Sequence, residues 1–97
     1  MAAETYAKTS YQIGTSAIVK TGSCVLWAVL VITDGTNAAT VTIYDNTAAS
    51  GDVLAKFVVA GATQYGGRNW VCPVGAKNGL YAAISGTGAT CIVEYDD

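Results

Sequence analysis

Cys24-Val25-Leu26-Trp27-Ala28-Val29-Leu30-Val31-Ile32 is apolar at every position. In a strand, alternate side chains face opposite ways, so this segment is hydrophobic on both flanks. Strict alternation puts Val25, Trp27, Val29 and Val31 on one flank and Cys24, Leu26, Ala28, Leu30 and Ile32 on the other. Only one flank fits between two packed sheets. The other would leave an apolar patch of roughly a few hundred Å², worth several kcal/mol at about 25 cal/mol per Å² once covered. The cover comes from the chain's own N-terminal segment, from a neighbour's segment by exchange, or from a different molecule.

Around this strand the chain reads as all-β, because no segment keeps the i, i+3, i+4, i+7 apolar spacing over two or three turns. Residues 1–21 are expected to form an extended N-terminal arm with a short strand near Ala17 to Lys20. Residues 22–97 are expected to form a β-sandwich domain. Ala39 to Tyr44 alternates as a half-buried strand should, and Val53 to Ala60 resumes the pattern after the turn-forming run Asp45 to Asp52. Asp45 is placed to hydrogen-bond its own downstream backbone, and Gly51 to adopt a left-handed conformation. Gly61 to Arg68 reads as a glycine-rich loop and Asn69 to Val74 as a short strand, held at an edge or stopped early by Pro73. Leu80 to Ser85 and Ala89 to Tyr95, joined by Gly86-Thr87-Gly88, read as a hairpin. Short strands at this spacing predict a two-sheet antiparallel sandwich, jelly-roll or immunoglobulin-like, with the strand order left open.

At 97 residues the chain is one domain with a small core, for which oligomerisation is one supplement. Charged residues are 12% of the total against roughly 25% in soluble domains. The formal charge of -2 and five scattered cations give no basic stripe to follow a nucleic-acid backbone. The first residues lack the basic and apolar regions of a secretory signal and read as a cytosolic product, and no run approaches the roughly 20 apolar residues of a membrane span.

Without histidine, the usual Ser-His and Cys-His nucleophilic pairs are excluded. Asp34, Asp45 and Asp52 sit among turn formers and read as backbone caps. Asp45-Asn46-Thr47 begins like a calcium loop but lacks the later Gly and bidentate Glu. Cys24, Cys72 and Cys91 have no CxxC spacing. They read as buried small hydrophobes, with one disulfide and a leftover thiol as the alternative. No catalytic, cofactor-binding or metal-binding residue is assigned, and no cofactor is expected.

Aromatic and aliphatic contacts remain. The candidate interface residues are Tyr6, Tyr11, Ile13 and Ile18 of the arm, Trp27, Val29 and Val31 of the apolar strand, and Tyr65, Arg68 and Trp70. Trp, Tyr and Arg dominate interface hot spots. Trp70 reads equally as a sugar-stacking platform, or as a rim tryptophan with Arg68 packed on its face.

The run Tyr44-Asp45-Asn46-Thr47-Ala48-Ala49-Ser50-Gly51-Asp52-Val53-Leu54, then Asn78-Gly79-Leu80-Tyr81-Ala82-Ala83-Ile84-Ser85-Gly86-Thr87-Gly88-Ala89 and the closing Val93-Glu94-Tyr95, resembles small β-sandwich virion proteins of tailed bacteriophages. The resemblance spans about residues 22 to 95. It implies a capsid decoration (cement) protein that binds across capsomer contacts, or a module of a head or tail fibre, commonly trimeric and with no catalytic residues. The expected partners are the major capsid protein and further copies of the chain, with no nucleic acid and no membrane; the expected place is the virion, after synthesis in the host cytoplasm. The alternative is a receptor- or glycan-binding module of a phage fibre or adhesin using Tyr65, Arg68, Asn69 and Trp70. A small enzyme subunit or toxin is a third reading.

Overall fold

A computed structural model describes residues 7–97. Eight strands follow in order: β1 (Lys8–Thr9), β2 (Ala17–Thr21), β3 (Cys24–Ile32), β4 (Ala39–Tyr44), β5 (Val53–Val59), β6 (Tyr65–Ala76), β7 (Gly79–Ser85) and β8 (Thr90–Asp96). They form two four-stranded antiparallel sheets in a sandwich, sheet A in the order β1-β8-β3-β6 and sheet B in the order β2-β7-β4-β5. The pairs β1 with β8, β2 with β7, β3 with β6 and β4 with β5 all run antiparallel. The first half of the chain therefore lies against the second, folded back at the Asp45 to Asp52 turn, where the Asp45 amide donates to the Asp52 carbonyl at 2.8 Å.

The core is built from alternating residues of both inner faces, with Val41 and Ile43 of β4 and Leu80 and Ala82 of β7 meeting Cys91 and Val93 of β8. The apolar strand β3 does not alternate strictly. Its register shifts between Leu26 and Ala28 against both neighbours. On the β8 side two steps of β3 match one of β8, from Tyr95 to Glu94, so Trp27 is the extra residue of a bulge. The inward set is Cys24 and Leu26 before the bulge and Val29 and Val31 after it. Val29 and Val31, expected beside Val25 and Trp27 on a surface flank, are core residues at 2% and 0% exposure, because one inserted residue exchanges the faces of all that follow.

Three further expectations are corrected. Gly86-Thr87-Gly88 is a corner between sheets, with β7 in sheet B and β8 in sheet A. Gly86 takes φ +113°, and a Cβ there would lie 2.2 Å from the Ala38 carbonyl oxygen of the adjacent corner. The hairpin is β4 to β5 instead. Second, Tyr65 to Arg68 belong to β6 and pair with β3, whereas the residues between Asn69 and Val74 leave that pairing as an excursion containing Pro73. Third, the Asp45 carboxylate accepts from the Lys77 amide at 2.9 Å and the Asn78 amide at 2.8 Å, tying the β4–β5 turn to the β6–β7 turn rather than capping its own loop. Asp34 does cap locally, accepting from the Thr36 and Asn37 amides at 2.8 and 2.7 Å. Of the segment expected as an arm, Lys8–Thr9 edges sheet A, Ile13 bridges Cys91, and Ala17–Thr21 edges sheet B.

Thr33 is the buried polar residue at the end of β3. Its hydroxyl lies 3.1 Å from the Gly61 carbonyl and 3.2 Å from the Gln64 carbonyl and accepts from the Gly35 amide at 3.1 Å. Thr33→Val keeps the shape and takes the hydroxyl from the Gly61 carbonyl and the Gly35 amide, while the Gln64 carbonyl keeps its bond from the Thr33 amide at 2.7 Å. We expect a loss of about 1–3 kcal/mol in urea unfolding; an unchanged midpoint refutes this role.

Backbone amides hold the carboxyls of Asp34 and Asp45 below the usual range, and Lys20, at 2.7 Å, with Lys8 brings Asp97 down to about 2. The unfolded chain binds more protons in acid, so this stability is complete above the ordinary carboxylate range, near pH 4, and is lost as pH falls toward about 2. A melting temperature flat from pH 6 to pH 2 would contradict this coupling.

Candidate interaction surfaces

The bulge at Trp27 brings Ala28, Leu30 and Ile32 to the outer face of sheet A, and pairing fixes what stands beside each. Ala28 lies between Glu94 and Asn69, Leu30 between Ile92 and Gly67, and Ile32 between Thr90 and Tyr65. In the middle row Gly67 has φ +143° and a Cβ there would meet the Val29 carbonyl oxygen at 2.0 Å. Leu30 is therefore flanked on the β6 side by bare backbone. A depression of about 590 Å³ lies over Ala28, Leu30, Gly67 and Ile92, adjoined by one of about 600 Å³ over Leu30, Ile32, Gln64 and Tyr65. Glu94 stands on the β8 bank and Asn69 on the β6 bank; Arg68, opposite the core residue Val29, lies on the other side of the strand, over Trp70. Leu30 is 40% and Tyr65 66% exposed.

The outer face of sheet B carries a second apolar row. Ile18 pairs with Tyr81, Tyr81 with Tyr44, and Tyr44 with Val53, so the row crosses all four strands. Ile18 and Val53 are both exposed at its ends, and Thr42, Lys56 and Ala83 make the next row polar.

The expected interface residues do not form one site. Tyr65 lines the sheet A groove, and Ile18 belongs to the sheet B row. Tyr11 is exposed in a left-handed conformation, φ 59°, with its amide donating to the Thr9 hydroxyl at 2.9 Å. Ile13 bridges Cys91 and packs against the core. Trp27 is half-buried at the bulge. Val29 and Val31 lie inside, and Tyr6 lies outside the described residues. Trp70 is half-buried at the rim, edge-on to Phe57 of β5 with ring centroids 6.4 Å apart, and the Arg68 guanidinium sits 5.3 Å from its ring centre.

Sequence reasoning placed Leu30 and Ile32 on an apolar flank without naming them as interface residues, and it missed Ile92 and Gly67. Ile92 was accessible from its position between the core residues Cys91 and Val93. Gly67 was not, because its importance comes from the cross-strand neighbour.

Among the described residues no group of three or more metal-ligating side chains occurs. Comparison with models of known families, with curated proteins and with solved structures returned no match.

Cys24, Cys72 and Cys91 are free thiols, and Cys72, in the β6 excursion, is exposed rather than buried as expected. Burial pushes the Cys24 thiol up and the Cys91 thiol up to about 11. At pH 8 in native buffer we expect one fast equivalent of thiol reagent, abolished by Cys72→Ser, with the other two reacting only on unfolding. Two or three fast equivalents would contradict the burial.

Proposed function

We propose that this chain is a structural protein of a tailed-bacteriophage virion, a capsid decoration (cement) protein with a jelly-roll fold that binds the major capsid protein across capsomer contacts. It is made in the host cytoplasm and works by contact, without catalysis. The strand order supports the jelly-roll reading: each strand of the first half pairs with its counterpart of the second, and all but one of the chain connections from β2 onward cross between sheets. Jelly rolls recur in viral capsid and lectin domains.

The observation that carries the functional reading is the pair of apolar outer faces on a slab 20 Å in its shortest dimension. A cement protein must touch more than one neighbour, and a thin plate that is adhesive on both sides can do so. It adds buried apolar area across joints that internal pressure tends to open. We assign lattice contact to sheet B, where Tyr44 and Tyr81 give large, stiff side chains of the kind that dominate hot spots. The fibre or adhesin reading is less well supported, since the Trp70 ring is engaged by Phe57 and Arg68.

Purified chain added to heads of the encoding phage that lack it should co-sediment at a fixed, saturable copy number and raise the temperature at which the heads open. Val53→Glu, at an exposed end of the sheet B row, should weaken that binding by about tenfold or more. No saturable binding overturns the reading.

A further inference from the structure

We infer that the outer face of sheet A is a self-association surface, on which a second copy of this chain packs face to face about a two-fold axis running along β3. The inference goes beyond the virion reading and stands without it, because it comes from the register of sheet A alone.

A two-fold axis lying in the face along β3 exchanges the β8 side of one copy with the β6 side of the other. Each row of the face can then be compared with its own reverse. In the middle row Leu30 meets its equivalent near the axis, while Ile92 of each copy comes over Gly67 of the other. Ile92 is a protruding aliphatic side chain, and Gly67 is a site where no Cβ fits. The same operation places knob over hollow twice.

In the row at Ala28, Glu94 on the β8 bank comes over Asn69 of the other copy. An exposed carboxylate thus meets an amide donor on both sides of the axis. In the third row Thr90 comes over Tyr65, which is exposed among the described residues. Isologous interfaces require this property, since each patch must complement itself under the rotation. A partner with different chemistry would have no reason to match the reversed pattern.

The area bounds the affinity. β1 is two residues long, so β8, β3 and β6, about 4.8 Å apart and rising about 3.4 Å per residue along the nine residues of β3, give roughly 450 Å² per copy. The total of roughly 900 Å² is that of a weak or transient contact. The geometry favours a dimer of modest affinity, where the virion resemblance implies trimers.

Sedimentation equilibrium of the full chain, from about 1 μM to about 1 mM, should show monomer and dimer with dissociation at about 1–100 μM. Leu30→Glu should weaken it by about 30-fold or more while leaving the circular dichroism and melting temperature near wild type. Asn69→Asp alone, which sets two carboxylates together across the axis, should weaken it by about tenfold, and adding Glu94→Lys should recover most of the loss, to within about threefold of wild type. Glu94→Lys alone should weaken it by about threefold. A chain monomeric throughout overturns the inference, as does a trimer, a dimer indifferent to Leu30→Glu, or a double variant no better than Asn69→Asp alone. None of these outcomes bears on whether Val53→Glu blocks head binding, so the two readings fail separately.

Discussion

The one-residue bulge at Trp27 sets the character of both sides of sheet A. Before it, Cys24 and Leu26 point into the sandwich; after it, Val29 and Val31 do. Without the insertion strict alternation would turn Ala28, Leu30 and Ile32 inward in place of Val29 and Val31, which lie beside the inward β8 residues Cys91 and Val93. The inserted residue also sends Ala28, Leu30 and Ile32 outward in one line. An all-apolar strand was therefore needed for two purposes, and the bulge decides which residues serve which.

The sheet assignments follow from corners more than from strands. Gly86 and Thr33 each sit where the chain passes between layers, one by allowing a close approach to Ala38 and the other by bonding the end of β3 to the turn before β6. Asp45 plays the same part at the other end, joining two turns that are 32 residues apart. Asp97 adds lysine pairs from β1 and β2, one strand from each sheet. These polar ties fix the order in which two otherwise similar apolar layers are laid together, a task that hydrophobic burial, being non-directional, does poorly.

Much of the fold was legible in the sequence because alternation marks a half-buried strand wherever it occurs. The bounds of β3, β4 and β5 fall within a residue of those expected from Cys24, Ala39 and Val53 onward. Alternation does not say which sheet a strand joins. Leu80, Ala82 and Cys91, Val93 look the same whether the two strands share a sheet or face each other across the core, so the Gly86 to Gly88 link was read as a hairpin. Nor does period two survive a bulge, and no feature of Leu26-Trp27-Ala28 announces one. The candidate surface was legible to the extent that one flank of β3 had to be left over. Which flank, and the fact that Gly67 hollows it, depends on neighbours 35 or more residues away in sequence.

The edges of the two sheets offer little to strand addition. Exposed strand edges are templates for uncontrolled pairing, and each of the four edge strands here is interrupted. β1 is two residues long, β2 shifts register between Ile18 and Lys20, β5 shifts opposite Ile43 and Tyr44, and β6 leaves its partner between Asn69 and Val74. The long edge β6 is further spoiled by Pro73, which has no amide to donate. Backbone pairing with another chain is thus poor at every edge, whereas β4 and β7 keep unbroken register at the centre of sheet B, and β3 and β8 keep it beyond the bulge at Trp27. A protein that joined others by strand addition would show the opposite distribution. Irregular edges with apolar faces are what the proposed association through side chains requires, and side-chain contact can be made self-complementary or partner-specific one residue at a time.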